Sequence, residues 1–167
     1  MTPMRWMWLS LVVALSVLVL SWQSMPSGRI PVHFGPGGEA DNWGTRNELC
    51  GVLALIILGL WAFMAWLTSR ADRLHWSMIN MPRKDHWMLP ENEPVARARL
   101  AEDMALTGVW TMALFTAMMP LVVLSVRRGD MGGGLEVATF GVIAVLIVIG
   151  AVGLWRRQKF YRDVPEA

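Results

Sequence analysis

The sequence predicts an all-α integral membrane protein of four transmembrane helices, with both termini in the cytoplasm and a short hairpin-like extracytoplasmic loop between spans one and two. Two observations lead to this class. All 15 Lys and Arg and all 13 Asp and Glu fall outside four charge-free runs, 6–28, 49–69, 104–126 and 137–155. Each run is close to the roughly 20 residues needed to cross a hydrocarbon core of about 30 Å. The composition agrees, with 54% hydrophobic residues and a mean hydropathy of +0.41. A soluble bundle would carry charges along the outer face of every helix. A soluble enzyme, a disordered chain and a disulfide-stapled secreted domain are therefore excluded.

Span one covers about 6–25. Arg5 before an apolar stretch resembles a signal peptide, but the stretch is long, and Trp22, Gln23 and Met25 do not form a small-residue cleavage site. It is read as an uncleaved span. In the loop 26–47, Ile30, Val32 and Phe34 alternate with Pro31 and His33, which predicts a short extended segment with one apolar face. Pro36-Gly37 fits the centre of a type II turn, after which 39–43 folds back as an irregular hairpin. Thr45-Arg46-Asn47-Glu48 reads as a capping box opening span two, 48–69. Cys50, the single cysteine, reads as a small buried residue, with an acylated or reactive thiol as the sharper alternative.

The segment 70–103 is read as a cytoplasmic loop followed by a helix extension. Trp76 and Trp87 are candidate anchors on the inner membrane surface. Asn92 is placed as a helix cap with Pro94 in the first turn, and the helix is expected to run unbroken into span three, 104–126. Its exposed start, with an Arg99–Asp103 pair, would project as a stalk. Within span three, Thr107 and Thr111 share a face suited to an interhelical hydrogen bond, and Pro120 removes a backbone donor near Thr116. Gly132-Gly133-Gly134 predicts a short, mobile outer turn before span four, 137–155. There Gly141, Ala144, Gly150 and Ala151 offer close-packing surface. The tail 156–167 is basic, and Arg156, Arg157, Lys159 and Arg162 are candidate contacts for anionic lipid headgroups.

Orientation follows from the cations. Eleven Lys and Arg fall on the side that holds both termini and 70–103, against Arg29, Arg46, Arg127 and Arg128 on the other. The spans themselves contain no histidine or charge, so a proton relay or a haem held between two spans is not expected in a single chain. The sequence pI near 9.2 reflects basic residues at membrane edges rather than a nucleic-acid module. No metal, cofactor or catalytic residue is assigned. His33 and Asp41 fall short of three zinc ligands, and no nucleophile stands beside them.

The two loops carry a resemblance. Ile30-Pro31-Val32-His33-Phe34, then Gly38, Asp41, Trp43-Gly44 and Arg46, resembles the signature of a widespread bacterial membrane domain of unknown function that forms the N-terminal part of the SdpI-type immunity proteins. Asn80-Met81-Pro82-Arg83-Lys84-Asp85-His86-Trp87 is similar to that family's second motif, an N-x-P-x-K-x-x-W segment before the third span. The resemblance implies protection against a secreted toxic peptide and sequestration of a cytoplasmic regulator. It makes His33, Phe34, Asp41, Trp43 and Arg46 the candidate outer contact for peptide or lipid, and Asn80, Pro82, Lys84 and Trp87 the inner one. The chain lacks the additional C-terminal spans of typical immunity members. Two other readings stand beside this non-enzymatic one: an accessory subunit of a larger membrane transporter or enzyme, and a membrane enzyme using His33 and Asp41.

The orientation is directly testable. In a Cys50→Ser background, a cysteine at Ser27 is expected to react with a membrane-impermeant maleimide added to intact spheroplasts, and one at Ser77 only after lysis; the reverse pattern refutes the assignment.

Overall fold

The computed structural model describes residues 2–163; the last four residues of the basic tail, 164–167, lie outside the described residues. In chain order the elements are α1 (Pro3–Ser24), β1 (Arg29–Phe34), β2 (Ala40–Thr45), α2 (Arg46–Ser69), a 3-10 turn at Trp76–Met78, α3 (Lys84–Trp87), α4 (Glu93–Arg128), α5 (Leu135–Arg157) and α6 (Lys159–Arg162). Four helices are long and apolar enough to cross a membrane, matching the four charge-free runs. α4 has 36 residues and includes Pro120 without interruption, so at 1.5 Å per residue it extends about 54 Å, well beyond a hydrocarbon core. It ends where Gly129 takes a left-handed conformation (φ 77°) and donates to the Ser125 carbonyl.

α4 is the centre of the bundle. α1, α2 and α5 all pack against it, and α1 also packs against α2. The buried residues of α1 are Met7, Leu11, Ala14, Leu18 and Ser21, spaced alternately four and three apart, which places them on one stripe. The facing stripe of α4 includes Ala105, Gly108, Met112, Met119 and Val126. At Gly108 three helices approach closely: a Cβ there would lie 2.9 Å from the Met7 methyl and 3.1 Å from the Met64 Cβ. Between helices whose surroundings are as apolar as their own side chains, such close approach and interhelical hydrogen bonds drive association. Two of those bonds also involve Met7, whose carbonyl accepts from the Trp61 indole (3.0 Å) and whose sulfur accepts from the Thr68 hydroxyl (3.5 Å).

The α1–α2 loop is an antiparallel hairpin, β1 against β2, with irregular register around His33. Its base enters the bundle end, because Ile30 belongs to the same buried cluster as Met25, Cys50 and Val126. The capping box forms as expected: the Glu48 amide donates to Thr45 Oγ1 (3.2 Å) and the Thr45 amide to Glu48 Oε2 (2.7 Å). The turn differs from expectation. Gly38, not Gly37, takes positive φ (82°), and the Gly38 amide donates to the Gly35 carbonyl. That excludes a type II turn centred on Pro36-Gly37 and fits a type I turn followed by a left-handed residue.

Three further expectations are corrected. The Gly132–Gly134 turn is docked rather than slack, since the Met131 amide donates to the Gly38 carbonyl (2.8 Å) and Glu39 bridges Asp130. Thr107 and Thr111 donate to Asp103 and Thr107 carbonyls in their own helix, where the i−4 oxygen is the nearest acceptor; Thr116 does the same to Met112. In α5 the close-packed position is Gly150, where a Cβ would overlap the Trp110 indole that donates to the Leu146 carbonyl, while Gly141 meets nothing and Ala144 and Ala151 are exposed.

Replacing Gly108 by Leu is expected to separate α1 and α2 from α4 and to cost about 1–3 kcal/mol by overpacking. Thermal unfolding in detergent measures it, and the same change at Gly59, whose Cβ position is open, is the control that should leave the midpoint unmoved.

Candidate functional site

Two ends of the bundle carry extramembrane structure. At one end the helix termini that flank the hairpin are braced to one another. Arg46 stacks over the Trp22 ring at 4.3 Å and donates to the Met25 carbonyl, while Trp22 Nε1 donates to Asn47 Oδ1 (2.8 Å). Arg127 at the end of α4 donates twice to the Ser24 carbonyl, at 2.9 and 2.8 Å. The guanidiniums thereby satisfy carbonyls that the end of α1 leaves without helical partners.

On this braced scaffold the sequence-predicted outer residues divide. Arg46 is structural. Phe34 is half-buried. His33 and Asp41 meet, Nδ1 to Oδ1, at 2.6 Å, and both remain largely exposed, their side chains at 67% and 46%. Trp43 is 47% exposed and sits opposite Pro31 in the ladder. The result is a paired hairpin surface carrying one exposed indole, an imidazole and a carboxylate. Among the described residues no group of three or more His, Cys, Asp or Glu side chains is close enough to hold a metal.

The opposite end holds 70–92, the start of α4 and the tail. Here the inner motif is not brought to one surface. Trp87 is 5% exposed, stacked on Phe160, and its Nε1 donates to the Tyr161 carbonyl (3.1 Å). It is a core residue rather than a membrane-surface anchor or an accessible contact, because the tail folds back over it. Asn80 and Pro82 line, with Asp103 and Tyr161, a cleft of about 320 Å³ from which Lys84 and Trp87 are absent. Asn92 begins α4, but its side chain donates to the His86 carbonyl instead of capping.

The projecting stalk is likewise corrected. Ala96 is fully buried against Trp87 and Tyr161. Arg97 binds Glu93 (2.6 Å) and the Ala71 and Leu74 carbonyls, under the Trp76 ring, so it pins the chain leaving α2. Arg99 pairs with Glu102, not Asp103. Asp103 takes Arg157 Nε and the Tyr161 hydroxyl (2.7 Å) instead, and Arg157 also reaches Glu102 at 3.0 Å. Of the four basic tail residues, Arg157 is thus turned into an internal ion pair, while Arg156, Lys159 and Arg162 stay exposed, Arg162 beside Gln158. Sequence reasoning missed the pairing of Glu102 and Asp103 with Arg157. The available signal was position: acids immediately before span three and arginines immediately after span four must lie at the same membrane depth.

These features define a multi-pass membrane protein with a braced extramembrane hairpin. A family model described as a domain of unknown function, DUF1648, matches residues 9–60, which hold most of α1, the whole hairpin and α2 as far as residue 60. No curated protein and no solved structure matches the chain.

The two tryptophans of the predicted contact sets are expected to behave differently. Trp87→Ala should cost about 3–5 kcal/mol as a buried aromatic truncation, whereas Trp43→Ala, at an exposed site, should change stability by no more than about 0.5 kcal/mol. Parallel thermal unfolding curves in detergent check both.

Proposed function

We propose that this chain is a non-enzymatic protein of the bacterial cytoplasmic membrane, similar to the SdpI type, that acts by binding through its extracytoplasmic hairpin. Its role in that reading is immunity to a secreted peptide, or envelope signalling. One observation carries the proposal: Arg46 and Arg127 hold the helix ends that flank the hairpin and the Gly38–Met131 bond holds its turn, yet Trp43, His33 and Asp41 are left outside. A surface fixed before the partner arrives loses little conformational freedom on binding. Exposed tryptophan beside a hydrogen-bonded imidazole and carboxylate suits a peptide or lipid that is itself amphipathic. The DUF1648 match over 9–60 includes this hairpin and supports the family likeness. The inner motif supports a cytoplasmic partner less, since Trp87 is covered by Phe160 and Tyr161.

An accessory-subunit reading has a specific observation in its favour. α5 buries only Leu135 and Thr139 and turns Val137, Phe140, Val145 and Val148 outward, a face that lipid or a larger membrane partner could cover equally. The enzyme reading draws on the His33–Asp41 contact alone.

A deletion strain is expected to become more sensitive to at least one secreted peptide or envelope stress, to be rescued by the wild-type chain, and not to be rescued by Trp43→Ala expressed at the same level. Unchanged sensitivity across the panel removes immunity. Full rescue by a His33→Ala, Asp41→Ala double variant removes the enzyme reading, and a co-purifying membrane protein in mild detergent would favour the subunit reading.

A further inference from the structure

A second cleft lies where the N-terminal part of α1 leaves a gap against α4 and α5. It encloses about 360 Å³ between Trp6, Glu102, Leu106, Val109 and Arg157. Its chemistry is split by depth. Leu106 and Val109 belong to the charge-free run of α4, whereas Glu102 precedes that run and Arg157 follows the one in α5. The cleft therefore has apolar walls at acyl-chain depth and a charged mouth at headgroup depth, with the exposed Trp6 ring beside it, as expected at an interface.

The mouth has unused hydrogen-bonding capacity of both signs. Glu102 Oε2 accepts from both Arg99 and Arg157, and its Oε1 accepts nothing among the described residues. Arg157 uses Nε toward Asp103 and Nη2 toward Glu102, and its Nη1 has no acceptor among the described residues. Arg99 and Arg157 balance Glu102 and Asp103, so the site carries no net charge. These four side chains by themselves give an anionic headgroup no net attraction. A headgroup that presents a phosphate and an ammonium a few ångströms apart meets a partner for each, because the arginine fork suits phosphate and the carboxylate suits ammonium.

We infer that this cleft binds a zwitterionic aminophospholipid of the phosphatidylethanolamine class, its phosphate on Arg157 Nη1, its ammonium on Glu102 Oε1 and an acyl chain along Leu106 and Val109. The site is separate from the outer hairpin and does not depend on the immunity reading.

The test is lipid retention. The full chain is reconstituted in nanodiscs of equal phosphatidylethanolamine and phosphatidylglycerol, extracted in mild detergent, and its bound lipids are counted by native mass spectrometry. The wild type is expected to retain phosphatidylethanolamine above its bulk share. Glu102→Gln keeps an acceptor for both arginines but loses the carboxylate charge, so the ratio of phosphatidylethanolamine to phosphatidylglycerol should fall about fivefold. Val109→Trp fills the apolar wall without touching the charges and should abolish retention, with the thermal midpoint of each variant reporting that it remains folded. A wild-type ratio at or below the bulk value overturns the proposal. So does an unchanged ratio in folded Glu102→Gln, or undiminished retention in folded Val109→Trp.

Discussion

The contact between Met7 and Gly108 is the constraint on which the rest of the molecule depends. Lipid chains are as apolar as leucine, so burial alone gives helices in a bilayer little reason to prefer one another. Met7 is fully buried because it meets Gly108 of α4 while also accepting from Trp61 and Thr68 of α2. That contact joins three helices near one membrane face. Arg127 gripping Ser24 joins α1 and α4 again at the other face. Between these points α1 rises about 26 Å and α4 about 29 Å at 1.5 Å per residue, so the two helices run side by side through the whole apolar layer. The hairpin is then positioned by both of its ends: Ser24 and Met25 precede it and Arg46 follows it, each bonded to a neighbouring element.

Much of this was readable in the residues. The spans follow from where charge is absent, and the capping box and hairpin follow from local turn and periodicity signals. The packing faces do not. In a membrane helix the inward and outward sides are both apolar, so hydropathy has no contrast from which to read orientation. What distinguishes the inner stripe is residue type and spacing: Met7, Ala14 and Ser21 recur every seven residues, as do Ala105, Met112, Met119 and Val126. Small-residue reasoning applied to α5 alone found Gly150 but missed Gly108, because the sequence does not say which helix is central. The turn was misplaced by one residue for a related reason. Three glycines among residues 35–38 could each supply positive φ, and it is the docking of Met131 on Gly38 that selects one of them.

The candidate contact residues were legible as chemistry but not as accessibility. His33, Asp41 and Trp43 are exposed on the hairpin. Trp87 does not, since nothing in the local motif reveals that Phe160 and Tyr161 lie against it. Long-range partners of this kind cross two spans, and the residues that form them look like ordinary boundary charges and aromatics when read locally. Asp103, Tyr161 and Arg157 are the clearest case: three residues from α4 and the tail form one charged knot only because α5 returns the chain to the face from which α4 started.

The bond from Trp87 to the Tyr161 carbonyl links residues 74 positions apart. A ribosome adding 5–20 residues per second needs about 4–15 s to make that interval. Throughout that time the 70–92 segment has emerged while the aromatic pair that covers Trp87 has yet to be synthesised, and α5 must still enter the bilayer. The segment therefore cannot complete its packing as it is made. Residues translated after α5 close the 70–92 segment, so membrane insertion of α5 and completion of that segment's packing are coupled.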